Sequence, residues 1–97
     1  MTFSFNDRIK LPDDVLISGL QAESVLLNLD NERYYGLNDV GTRMLTVLTS
    51  SDSIEAAYNT LLDEYEIEAD VLRGDLISTI EELKKNGLIE IVSGPAA

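Results

Sequence analysis

The sequence predicts an α+β domain in which a three-stranded antiparallel sheet is followed by three helices. Two observations carry that expectation. Short apolar runs rich in β-compatible residues fill residues 15–37, and apolar residues recur at helical spacing from Asn38 onward. No internal repeat and no long linker divides the 97 residues, and 44% apolar side chains suffice to close one core. The expected organisation is an irregular N-terminal arm over residues 1–13, one domain over 14–92 and a frayed tail over 93–97.

The arm ends at Leu11-Pro12, where proline biases the preceding residue away from helix. Val15-Leu-Ile-Ser-Gly-Leu20 and Ser24-Val-Leu-Leu-Asn-Leu-Asp30 read as a hairpin across the polar Gln21-Ala22-Glu23, with Val25, Leu27 and Leu29 on one face of the second strand. Asp30-Asn31-Glu32 is a turn in which Asn31 can take a left-handed conformation at low cost. Arg33-Tyr-Tyr-Gly-Leu37 is the third strand, with Arg33, Tyr35 and Leu37 on one face and Tyr34 on the other.

Val40, Met44, Leu45, Val47 and Leu48 make a first helix that Asn38 or Asp39 can cap. A second helix starts at Asp52, which with Glu55 forms a capping-box-like pair, and buries Ile54, Ala57, Tyr58, Leu61, Leu62 and Tyr65. The third runs from about Ala69 to Asn86, with Leu72, Leu76, Ile80 and Leu83 on one face and Gly87 as its stop. Nothing in the sequence accounts for Gly74 inside it, since glycine costs a helix about 1 kcal/mol relative to alanine. Residues 88–92 can add a terminal strand. Three strands packed on three helices is the inventory of a winged helix-turn-helix.

Composition narrows the function. The chain has no cysteine and no histidine, which removes thiolate nucleophiles, iron–sulfur clusters, the usual zinc sites and the usual neutral-pH proton shuttle. No metal or cofactor is expected. Apolar stretches are far shorter than the roughly 20 residues that span a bilayer, and the N-terminus lacks a basic region followed by an apolar run, so the expected location is cytoplasmic. Seven basic against 18 acidic side chains give a net charge of −11, which repels phosphate backbones and anionic lipid alike. Residues 51–97 carry most of it, three basic groups against eleven acidic ones. A partner with Lys or Arg is the natural expectation.

Several chemistries can be tested against the residues. Glu64, Glu66, Glu68 and Asp70 flank a connector and read as a solvated face, with nothing to mark a buried acid/base pair. Asp30-Asn-Glu-Arg-Tyr-Tyr-Gly36 fails as a calcium loop, because Tyr34 takes the fifth position and glycine arrives one late. Asp52-Ser53-Ile54 looks like the phosphopantetheine attachment region of acyl carrier proteins, but that family is all-helical. A winged-helix transcriptional regulator would read DNA with the third helix, which sets Asp75, Glu81 and Glu82 against Arg73, Lys84 and Lys85. A carrier modified on Ser53 and such a regulator stand as the alternatives.

The order of segments Ser24-Val-Leu-Leu-Asn-Leu-Asp-Asn-Glu-Arg-Tyr-Tyr-Gly-Leu-Asn38, Val40-Gly41, the Ile54-Glu-Ala-Ala helix, Asp75-Leu76 and Leu83-Lys-Lys-Asn-Gly-Leu88 resembles the PqqD-like proteins, most of all the stand-alone members of lasso-peptide pathways. The resemblance implies a recognition element for ribosomally made, modified peptides. Such a domain is not an enzyme; it binds the leader of a precursor peptide so that a peptidase, cyclase or other modifying enzyme can act. Independently of the family, the open edge of the 33–37 strand can accept an extended peptide, and could equally pair two copies into a dimer. Asp75 and Thr79 share a flank of the third helix, and Asp75 matches a recurrent acidic position of the family. The expected peptide groove therefore lies between Arg33, Tyr34 and Tyr35 of the strand and Leu72, Asp75 and Thr79 of the helix, with Asp75 meeting a polar or basic group.

Overall fold

Alternating apolar residues early in the chain and helical stripes later give the expected α+β architecture. The computed structural model describes residues 3–20 and 23–93. Its elements are β1 (Arg8–Lys10), β2 (Val15–Leu20), β3 (Glu23–Asn28), β4 (Tyr34–Leu37), α1 (Asp39–Ser50), α2 (Ile54–Glu64), α3 (Ala69–Lys85) and β5 (Glu90–Val92). Strands β2-β3-β4 form an antiparallel sheet in that order, and β1 pairs antiparallel with β5 in a separate two-stranded sheet.

The expectation of an irregular arm is corrected by β1. Phe3, Phe5 and Ile9 are buried in the core, and the backbone carbonyls of Asp7 and Phe5 accept hydrogen bonds from Ile54 N–H (2.8 Å) and Glu55 N–H (2.9 Å). These are N–H groups of the first turn of α2, which have no partner within their own helix. Phe5 also meets Tyr58 edge-on at 5.9 Å between centroids and carries the Arg73 guanidinium 4.1 Å from its ring centre. The arm is thus tied down by contacts with distant residues. Of the expected tail only Ser93 is described; residues 94–97 lie outside the described ones, as do Gln21 and Ala22 of the expected hairpin turn.

Val25, Leu27 and Leu29 do share a face of β3, but it is the outer face; Ser24, Leu26 and Asn28 point into the core. Two of those three are polar, and each has a partner, as buried polar groups require. Ser24 Oγ lies 2.8 Å from Thr42 Oγ1, and Asn28 Nδ2 donates to the Gly87 carbonyl at 2.6 Å.

Each helix is capped by local chemistry. Asn38 accepts from Gly41 N–H at 2.8 Å to start α1, and a Cβ on Gly41 would come within 3.1 Å of Leu37, so this glycine lets the first turn close on β4. For α2 the cap is Ser53, accepting from Ala56 N–H at 3.1 Å, rather than the expected Asp52. Helix α3 buries Leu72, Leu76, Ile80 and Leu83 as its spacing predicts. It ends in a Schellman motif, with Leu88 N–H bonded to Leu83 O, Gly87 N–H bonded to Lys84 O, and Gly87 at φ 71°. Leu83 and Leu88 are both fully buried, which supplies the apolar contact that accompanies such a stop.

Candidate peptide groove

Among the described residues no strand lies beyond β4, so its outer edge is open. Which backbone groups it offers follows from the pairing. Asn28 N–H bonds to Arg33 O at 2.8 Å, making 28 and 33 a hydrogen-bonded pair. In an antiparallel ladder such pairs alternate, so Tyr35 and Leu37 spend their backbone groups on β3. The N–H and C=O groups of Tyr34 and Gly36 consequently face the open edge. Their side-chain positions lie on the outer face of the sheet, whereas Tyr35 and Leu37 lie on the face toward the helices.

Beside this edge is a cleft of about 500 Å³. Tyr35, Leu37, Val40 and Met44 give it an apolar side, and α3 contributes Asp75, Ser78, Thr79 and Glu82. The α3 residues recur at i, i+3, i+4 and i+7, one helical face next to the core stripe. Thr79 Oγ1 approaches Met44 Sδ at 3.9 Å across the floor. The cleft joins an apolar floor to a rim with two carboxylates and two hydroxyls. An extended chain on the β4 edge would send alternate side chains into it.

The start of β4 is held by the β3–β4 turn. Asn28 Oδ1 accepts from Asp30 N–H (2.8 Å) and Asn31 N–H (3.4 Å), while Asn31 Oδ1 accepts from Arg33 N–H (2.9 Å). The left-handed residue of this turn is Glu32, at φ 59°, and not Asn31 as expected, because Asn31 is occupied as an acceptor. Arg33 Nη1 then reaches Asn86 Oδ1 at the end of α3, 3.3 Å away. These bonds and the Asn28–Gly87 bond fix β4 against α3.

Of the six residues expected in the groove, Tyr35, Asp75 and Thr79 line the cleft. Arg33 does not line it and bonds to Asn86 instead, and Tyr34, 77% exposed, lies on the opposite face of the sheet. Leu72 is 1% exposed and belongs to the core, because it stands one turn before Leu76 in the buried stripe. Leu37, Val40, Met44, Ser78 and Glu82 were not anticipated. Val40 carried a signal, being the residue of the apolar α1 stripe nearest β4; in the structure it is 41% exposed.

Ser53 does not resemble a free attachment serine, since its hydroxyl caps α2, and the sheet ahead of it is foreign to an all-helical carrier. Among the described residues no three or more Asp or Glu gather to hold a metal ion, and no helix is long and apolar enough to cross a membrane.

No curated protein matches the sequence significantly. Two solved structures do resemble this one. "TbiB1 in Complex with the TbiA(beta) Leader Peptide" is 28% identical, with a TM-score of 0.78 over 84% of this chain and 94% of that one. "Lasso peptide synthetase B1 complexed with the leader peptide" is 24% identical, with a TM-score of 0.76 over 86% and 98%. The family described as coenzyme PQQ synthesis protein D (PqqD) matches residues 23–89, more than two thirds of the chain, and with the open strand edge, the three helices and these two likenesses in agreement, this protein belongs to the PqqD family.

Proposed function

We propose that this protein is a non-catalytic adaptor that binds the leader segment of a ribosomally made precursor peptide and presents it to a peptidase, cyclase or other modifying enzyme of lasso-type peptide biosynthesis in the cytoplasm. The observation that carries this reading is the open β4 edge, with the backbone groups of Tyr34 and Gly36 directed outward beside a cleft large enough for side chains. An added strand supplies affinity through its backbone, and the cleft selects alternate side chains. The likeness to two leader-peptide complexes supports it.

Within the groove, Tyr35, Leu37, Val40 and Met44 receive an apolar leader side chain, and Asp75 and Glu82 favour a neighbouring Lys or Arg. Thr79 offers a hydroxyl, and Arg33 keeps the turn against Asn86. The acidic α3 disfavours a phosphate backbone, which weighs against a DNA-reading role. The unit that binds is the single domain of residues 14–92 together with the β1 clasp. The same edge could pair two copies, in competition with the leader.

Fluorescence polarisation with a labelled synthetic leader, taken from the precursor gene beside this one, tests the proposal. Saturable binding in the sub-micromolar to micromolar range is expected, corresponding to about −8 kcal/mol or somewhat better. Absence of saturable binding overturns it.

A further inference from the structure

Gly36 is a glycine that the fold itself does not need. It has no positive φ, and a Cβ built on it would meet nothing within 4 Å. Glycine weakens a strand interior, and where it occurs there it often marks a place where a ligand or another backbone approaches closely. Gly36 lies on the open edge, with its own N–H and C=O facing outward. Its partner on β3 is Val25, in the non-hydrogen-bonded type of pair that brings side chains closest, yet Val25 remains 40% exposed because Gly36 has no side chain to cover it. The result is a second hollow of about 290 Å³ on the opposite face of the sheet from the cleft, bordered by Val25, Gly36, Glu23 and Asn38.

This inference rests on the leader-binding reading and extends it. A strand added to β4 alternates, so the side chains that do not enter the cleft lie over the outer face. The residue paired with Gly36 is therefore placed over the hollow, with Val25 beneath it and Tyr34, two residues along β4, on the same face. We infer that Gly36 is a specificity-determining position: its missing side chain forms a second subsite that takes a large apolar, preferably aromatic, leader side chain packed across the glycine onto Val25. An aromatic residue opposite an edge glycine covers the area that the glycine leaves bare. Leader recognition then reads both faces of one peptide strand.

The test combines two G36 variants with an alanine scan of the labelled synthetic leader. Gly36→Val and Gly36→Ala should fold with thermal midpoints equal to or above the parent, since the added atoms occupy open space on a strand. Gly36→Val should nevertheless bind the leader at least about tenfold more weakly. The scan should reveal sensitive positions of both parities, and the outer one should lose most of its effect in Gly36→Val. Unchanged binding by Gly36→Val, or sensitivity confined to one parity, overturns the second subsite while leaving the adaptor reading intact. If the parent itself fails to bind the leader, both readings fall.

Discussion

Asn28 Nδ2 donates to the Gly87 carbonyl at 2.6 Å, bonding residues 59 positions apart in the sequence. The same side chain accepts from the turn that begins β4, so one amide connects the peptide edge to the end of α3. Asn28→Ala should cost about 1–3 kcal/mol in chemical denaturation, the range for leaving buried partners unsatisfied. Asn28→Asp keeps the turn acceptor and loses the donor to Gly87. It should therefore be destabilised as well, and leader affinity measured well below its unfolding midpoint should fall, because β4 is no longer held against the helix.

The two glycines of α3 and its stop should respond in opposite directions to alanine. Gly74 is exposed, with nothing within 4 Å of a Cβ, so Gly74→Ala should stabilise the protein by about 1 kcal/mol. Gly87 has φ 71°, and a Cβ there would press on Asn28 Nδ2 at 3.0 Å. Gly87→Ala should cost about 1–2 kcal/mol from the left-handed backbone alone. Thermal unfolding of the two variants checks both signs.

Leu72 and Asp75 lie within one turn of α3 and should separate stability from binding. Leu72→Ala opens a cavity in the core and should cost about 2–5 kcal/mol. Asp75→Lys reverses a charge on the cleft rim and should leave the unfolding midpoint nearly unchanged while weakening leader binding. Equal affinity for Asp75→Lys and the parent would remove Asp75 from the groove.

Arg43 and Glu64 form a bidentate ion pair between α1 and α2. The hydrogen bond from Arg43 holds the Glu64 carboxyl below its ordinary range, and the same bond raises Arg43. A carboxyl lowered in the folded state stabilises that state above its ordinary pKa and loses the effect as pH falls through the lowered value. The stability gap between the parent and Glu64→Gln should therefore be widest near neutral pH and close on acidification. Added salt should narrow it at neutral pH, since the pair is exposed.

Helix α3 was legible because Leu72, Leu76, Ile80 and Leu83 repeat at helical spacing and Gly87 supplies the stop, all within 16 residues of sequence. The sheet was legible in outline for the same local reason. What the sequence did not reveal depends on distant partners. Arg8–Lys10 becomes a strand only by pairing with Glu90–Val92, and Phe5 is buried where Tyr58 of α2 and Arg73 of α3 meet its ring. The inward row of β3 reads as polar until Thr42 and Gly87 are in place to satisfy Ser24 and Asn28. Tyr35, Asp75 and Thr79 line the cleft as strand alternation and helix phase place them, whereas Leu72, expected both in the buried stripe and in the groove, is 1% exposed and belongs to the stripe alone.

The pairing of β1 with β5 sets Arg8 opposite Val92, next to the last described residue. That clasp adjoins Thr49 and Ser51 at the far end of α1, whereas β4 runs directly into the start of the same helix. A 12-residue helix spans about 18 Å, so a tether leaving after β5 starts roughly that far from the open edge. A fluorophore, a surface linkage or an entire catalytic domain could be joined there without covering the peptide edge.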